Sequence, residues 1–341
     1  EANITNGKAV GTHYVQTFTI TAAYFSGSGT SGLPYLINNA ADLNKLSELI
    51  NLGNPTYAAA AVYYRLNSSF TMPAVNFTPI GTLANPFRGS FNGNNKIITD
   101  LTVNTTTSLA GLFGYVVGGK ISNLGLENVN INGGNDVGGV AGYIYNSASI
   151  TGCYVTGKVS GSGSLGSAGG ITAGVDNATV INCYTTCTVI GTYDVGGIAG
   201  YEQYSSIITL CYATGAISGE LSVGGIVGYA DAKLINNVAL NPSIIQTGGA
   251  GTGFGRVAGN LDSSGDLTGN AAYKGMNVKG VTVSGGTADN KDGGDIGRDD
   301  VNQAIKWTAG GFVSPPWRVQ NNRLPGLFGA TVAIPGHITL P

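Results

Sequence analysis

Asp136-Val137-Gly138-Gly139-Val140-Ala141-Gly142-Tyr143 returns as Asp194-Val195-Gly196-Gly197-Ile198-Ala199-Gly200-Tyr201, and again as Ser222-Val223-Gly224-Gly225-Ile226-Val227-Gly228-Tyr229. Weaker copies flank these three: Leu109-Ala110-Gly111-Leu112-Phe113-Gly114-Tyr115, Ala168-Gly169-Gly170-Ile171, and Gly255-Arg256-Val257-Ala258-Gly259-Asn260. The period is about 27 to 31 residues, within the range of stacked-repeat architectures. A second element trails each first one at fixed phase: Ile121 to Leu126, Ile150 to Val155, Val180 to Thr185, Ile208 to Ala213 and Leu234 to Ala239. These segments are rich in Val, Ile, Thr, Tyr and Gly and lack the amphipathic stretches of about ten residues that a helix pair requires, so each unit reads as at least two short strands. One such coil cannot bury enough surface to fold alone. Copies stacked with each strand in parallel register, about 4.8 Å above its equivalent, can. The predicted fold is an all-β solenoid of roughly seven to nine coils with closed ends.

Composition narrows the function. The chain has 341 residues, 56 of them Gly, with 10% charged and 42% hydrophobic side chains, which is the make-up of a folded protein rather than a disordered one. Sixteen Lys plus Arg against eighteen Asp plus Glu leave a formal charge of −2, so there is no basic surface for nucleic acid or an anionic bilayer. The longest apolar run, Ala58 to Tyr64, is far too short to span hydrocarbon. The chain opens at Glu1 with neither Met nor a leader, the look of a processed, exported segment. Four cysteines do not make a dense disulfide framework.

Three regions are expected: an N-terminal strand and helical cap over 1–60, the repeats over 61–285, and an irregular C-terminal cap over 286–341. Leu43, Leu46, Leu49 and Ile50 share one stripe of a short helix over 41–50, with Gly53 as its stop. Residues 1 to 25 read as extended, Tyr14, Phe18, Ile20 and Ala22 alternating. At the other end, Asp299 or Asp300 is expected to cap a turn through Trp307, and Pro315-Pro316-Trp317 and Leu324-Pro325-Gly326 to stop strand addition.

The glycine and Asn-Cys-Tyr repeats, with Phe77-Thr78-Pro79-Ile80-Gly81 and Asn85-Pro86-Phe87-Arg88-Gly89-Ser90-Phe91-Asn92-Gly93-Asn94, resemble the GLUG-motif repeats of bacterial surface proteins. Such repeats also occur in the non-catalytic part of some IgA-cleaving metallopeptidases. The resemblance covers about residues 29 to 270, departing at Leu210, Asn237 and the inserted Thr172 or Ala173. It implies a right-handed parallel β-helix on a secreted or cell-surface, outer-membrane-associated protein of the adhesin kind, with no catalytic residues of its own. The implied partner is a host or dietary glycan or a cell-surface protein, with no nucleic acid, no membrane insertion and no cofactor, and the chain is expected to be a monomer.

The candidate residues fall in rows. Tyr154, Tyr184 and Tyr212 follow cysteines that take the slot of Leu124; if Cys153, Cys183 and Cys211 point inward as a buried thiol ladder, the tyrosines must point outward. Tyr115, Tyr143, Tyr201 and Tyr229 recur likewise after the glycine motif. Tyr154, Tyr184, Tyr212, Tyr143, Tyr201 and Tyr229 are therefore the candidate ligand-binding residues, with offset ring stacking as the structural alternative. Asn123, Asn182 and Asn236 belong at a corner.

Chemistry is poorly represented. With only His13 and His337, far apart in the chain, neither a zinc site nor a Ser-His-Asp triad can be drawn. Asp136 and Asp194, two coils and so roughly 9.6 Å apart, offer the one paired-carboxylate arrangement, with service to the turn as the simpler reading. The acidic stretch from Asp289 to Asp300 reads as a solvated loop, with calcium ligation as the alternative. Gly251-Thr252-Gly253-Phe254-Gly255 is another repeat rather than a dinucleotide loop. Three functions remain: adhesion, a polysaccharide hydrolase or lyase, and a rigid spacer.

Overall fold

A computed structural model, describing residues 4–5, 8–9, 23–263 and 265–338, shows a parallel β-helix of about eight turns. The extended reading of residues 1 to 25 rests on Tyr14, Phe18, Ile20 and Ala22, which, like His13, lie outside the described residues. Each mature coil holds more strands than the repeats alone suggest. One coil runs Thr179–Ile181, Tyr184–Thr185, Thr188–Ile190, Asp194–Gly196 and Ala199–Gln203. The next repeats it as Ile207–Thr209, Tyr212–Ala213, Ile217–Gly219, Ser222–Gly224 and Val227–Ala230. All five pairs are parallel, with like residues on like: Tyr184 on Tyr212, Val195 on Val223, Tyr201 on Tyr229.

The double glycine has a steric cause. A Cβ on the first glycine of the pair would lie 2.0 Å from the carbonyl oxygen of Ala141, Thr172 or Ala199 in three successive copies, so the bend closes only around hydrogen. The second glycine meets the backbone of the coil above, Gly197 against the Gly225 oxygen at 2.2 Å. The corner before the tyrosine strand has a different requirement. Asn123, Gly152, Asn182, Leu210, Asn236 and Gly269 all have positive φ, which explains the asparagines as residues that tolerate a left-handed turn. Leu210, with φ 54°, adopts it without that tolerance.

Inside the corner, the thiol ladder is present. Cys153, Cys183 and Cys211 are buried and free. The slot accepts a hydrogen bond from the backbone one coil earlier: the Cys153 N–H donates to Cys183 Sγ at 3.4 Å, and the Cys211 N–H to Asn237 Oδ1 at 3.0 Å. Asn270 continues the column by accepting from the Asn237 N–H at 3.0 Å. Asn237, a departure from the repeat, thus keeps the acceptor that the left-handed corner needs.

The helix Ala40–Asn51 closes one end, with Asn39 as N-cap, Leu43, Leu46, Leu49 and Ile50 buried, and Gly53 at φ 66° after its last turn. At the other end parallel stacking continues past residue 285, because Gly294–Ile296 pairs with Ala271–Tyr273. Asp295 reaches back to the wholly buried Arg256 at 2.6 Å, and Asp292 accepts from the Arg256 N–H. Two short helices follow, Arg298–Val301 and Ala304–Ala309. Gly297, not Asp299 or Asp300, is the N-cap of the first; Asp300 reaches back to its N–H at 2.9 Å.

The remaining chain turns back along the side of the solenoid. Gly311 lies over Leu210, and the Trp317 indole N–H donates to Asn182 Oδ1 at 3.0 Å. Phe328 reaches Tyr154, 5.5 Å between ring centres. Within the region expected as an irregular C-terminal cap, residues 304–328 form a strap along the corner of the coils carrying Tyr154, Tyr184 and Tyr212.

Candidate functional site

The two tyrosine rows have opposite fates. Tyr154, Tyr184 and Tyr212 do stack outside the barrel, ring centres 4.9 and 5.0 Å apart and planes within 4° of parallel. They are not displayed. Trp307, Phe312 and Trp317 pack on Tyr212, Trp317 also on Tyr184 and Phe328 on Tyr154, leaving the three 6%, 6% and 0% exposed. Tyr212 donates to the Pro325 carbonyl at 2.6 Å and Tyr154 to Glu127 at 2.7 Å. The expectation of an accessible ladder at these three positions is corrected. Alternation correctly places them outside the coil, but the strap carries both tryptophans and covers them.

The second row stays half-exposed and is not a uniform stack. The coil between Tyr143 and Tyr201 has Gly174 at this position. The two rings close over it to a 6.0 Å centroid separation, where a Cβ on Gly174 would lie 2.3 Å from the Tyr143 ring. Tyr201 leans back to donate to Asp136 at 3.1 Å, and Tyr143 donates to Asp176 at 2.8 Å. Tyr229 leans the other way, to Asp262 at 2.7 Å. Among the described residues the ring contacts run Tyr115–Tyr143–Tyr201 and stop there.

A groove of about 670 Å³ opens where the rings part. Tyr201 and Tyr229 line it, with Asp136, Asp194, Ser167 and Ser222 from successive copies of the turn before the glycine motif. Gln203 and Asn260 line it from the strand side, and Leu165 and Tyr193, 58% and 40% exposed, from the loops. Periodicity missed Leu165 and Tyr193, because the loops differ in length and composition from copy to copy. The available signal was the apolar residue just before the turn at Leu165, Tyr193 and Leu221.

Asp136 and Asp194 do meet in this groove, with the Ser167 turn between them. Burial pushes both carboxyls up, Asp194 to about 7, opposed at Asp194 by the Ser222 hydroxyl and at Asp136 by the Tyr201 hydroxyl. Asp194 Oδ1 is buried without a hydrogen-bond partner. Such a group is costly to ionise until a donor arrives. The acidic stretch near the C-terminus is otherwise engaged: Asp289 accepts from Gly269, Asp292 from Arg256, and Asp295 pairs with Arg256. Among the described residues no three His, Cys, Asp or Glu side chains come together as metal ligands.

With this geometry in view, the likenesses to known proteins fall into place. Residues 133–160, which carry one glycine motif and the following strands, match the model of the GLUG motif. Over 211 residues, 59% of the chain, the sequence is 28% identical to halomucin from Haloquadratum walsbyi, and the match spans 2% of that protein's length. The fold is similar to the crystal structure of a Bacteroides ovatus protein provisionally described as an immunoglobulin A1 protease. The TM-score is 0.70 at 20% identity, covering 90% of this chain and 96% of that one. Residues 133–160 thus carry a GLUG motif, and further copies of the same glycine pattern lie rung upon rung with it in one parallel β-helix.

Proposed function

We propose that the chain is a non-enzymatic attachment module of a secreted or cell-surface protein, and that it holds a glycan in the groove between Tyr201 and Tyr229. One observation carries this reading: among the described residues the open row of tyrosines parts between Tyr201 and Tyr229, and there two half-exposed rings flank hydroxyls, amides and carboxylates in a groove of about 670 Å³. Aromatic faces cover the apolar side of a pyranose while polar groups set its orientation. A peptide fits less well. The strands Ala199–Gln203 and Val227–Ala230, which carry Tyr201 and Tyr229, are already hydrogen-bonded to the coils on both sides, so an extended chain cannot join the sheet between them. The GLUG match and the halomucin relative support a place outside the cell. No helix among the described residues is long and apolar enough to cross a membrane.

The test is retention on a panel of plant and host polysaccharides, followed by product analysis. The wild-type chain is expected to be retained without cleavage. Replacing Tyr193 and Tyr229 by Ala is expected to weaken retention about tenfold or more, with the melting temperature little changed. Unchanged retention in that variant would overturn the groove. A second reading, hydrolysis by Asp136 and Asp194, draws on the raised Asp194 carboxyl and on a separation of roughly 9.6 Å from coil spacing, near the upper limit for an inverting pair. Released oligosaccharide would establish it in place of simple attachment.

A further inference from the structure

The groove has a sign as well as a shape. Its described lining residues include Asp136 and Asp194 and no Lys, Arg or His. Along the same tyrosine row Asp176 holds Tyr143, Asp262 holds Tyr229, and Asp231 lies close enough to Tyr229 to act on its charge. Five of the chain's eighteen acidic residues therefore crowd one face. Most of these carboxylates have work within the fold. Asp194 is different: it is 8% exposed, forms part of the groove's lining, and its Oδ1 has no partner in the protein.

The equivalent turn position shows that the fold does not require this carboxylate. Ser167 and Ser222 occupy it on the neighbouring coils, in parallel register on either side. A carboxylate placed where serine suffices, desolvated and with one oxygen left without a donor beyond the help of the Ser222 hydroxyl, is destabilised until a cation or strong donor reaches it. The neighbouring Tyr201 and Tyr229 rings offer electron-rich faces that also favour a cation. Polyanionic glycans would meet only repulsion.

We propose that the groove selects glycans bearing free, protonated primary amino groups, with one sugar ammonium set against the Asp194 carboxylate in the groove that Tyr201 and Tyr229 line. This rests on the glycan-binding reading above and adds the chemical class of the ligand. Hydroxyls and amides at Ser167, Ser222, Gln203 and Asn260 are suited to the remaining sugar hydroxyls.

The test is calorimetric titration of the full chain at pH 6.5 with four probes: glucosamine hexamer, its N-acetylated counterpart, cellohexaose and a short polylysine. Glucosamine hexamer is expected to bind about tenfold or more tighter than either neutral oligomer, the scale of one charge-assisted contact. Asp194→Ser, the residue the repeat itself uses, is expected to reduce that preference to within about threefold while the far-ultraviolet spectrum and melting transition persist. Asp194→Asn serves as a second variant should the serine disturb the turn. Equal binding of charged and neutral oligomers, lost when Tyr193 and Tyr229 are replaced by Ala, would overturn the amine selectivity and leave the glycan groove standing. Binding of polylysine alone, sensitive to Asp194, would overturn it in favour of a peptide ligand. Binding of none of the four would overturn both readings.

Discussion

At the scale of single residues, a few side chains carry information that the repeats do not. Glu202 points into the lumen where the coils on either side place Val175 and Ala230, and it is fully buried. One oxygen accepts from the Ala232 N–H at 3.1 Å, the other has no partner, and burial pushes the carboxyl from 4.5 to about 8. The folded form therefore binds the proton more tightly than the unfolded chain does. Stability from this group is complete below about pH 4.5 and is lost as the pH rises through about 8. Asp194 adds a loss in the same direction between 3.8 and about 7. Glu202→Gln keeps the acceptor for Ala232 and removes the charge. Thermal melts from pH 5 to pH 9 should fall for the wild-type chain and fall much less for E202Q, leaving the variant about 3 °C or more higher at pH 9. Equal slopes would show that Glu202 ionises without penalty. Glu202 is easy to overlook in the sequence because a single polar residue stands where the other copies have Val116, Ile144 and Ala230 after the repeating tyrosine. Alternation from the outward Tyr201 puts it inside, and the register seats it between Val175 and Ala230.

At the scale of elements, strand alternation located the Tyr154, Tyr184 and Tyr212 row correctly, and composition alone could not say what would cover it. The strap comes from residues about a hundred positions further on and carries no periodicity of its own. Its unusual density of Trp, Phe and Pro was legible as a stop signal, but the surface it would meet was not. The glycine motif, in contrast, was fully legible: the same letters recur because the same backbone contact recurs. Trp317 joins the strap to the ladder by ring contacts with Tyr184 and Tyr212 and by its bond to Asn182. Removing a buried indole costs about 3–5 kcal/mol, enough to undock a segment of this length. Trp317→Ala should make 304–328 sensitive to limited proteolysis while the solenoid keeps its β-sheet circular dichroism. Global unfolding instead would mean that the strap is part of the cooperative core.

At the scale of the molecule, the solenoid works as a ruler that turns a sequence period into spatial rows, and the proposed function depends on which row is left open. The stacked architecture and its helical N-terminal cap followed from period, strand-forming residues and one amphipathic stripe. The groove did not, because it arises where the rows are interrupted: at Gly174, where a tyrosine is missing, and between Tyr201 and Tyr229, which lean to carboxylates in opposite directions. Interruptions of this kind are visible only once the coils are stacked. The central claim, that the row after the glycine motif is the working face and the ladder before the strap is structural, is tested most directly by tyrosine-specific footprinting of the native chain with and without a retained polysaccharide. The account predicts ready modification of Tyr193 and of Tyr204, which is 65% exposed, protection of Tyr193 and Tyr229 by the bound glycan, and no modification of Tyr154, Tyr184 or Tyr212 until the chain unfolds. Modification of those three at the rate of Tyr193, with glycan protection falling on them, would contradict it.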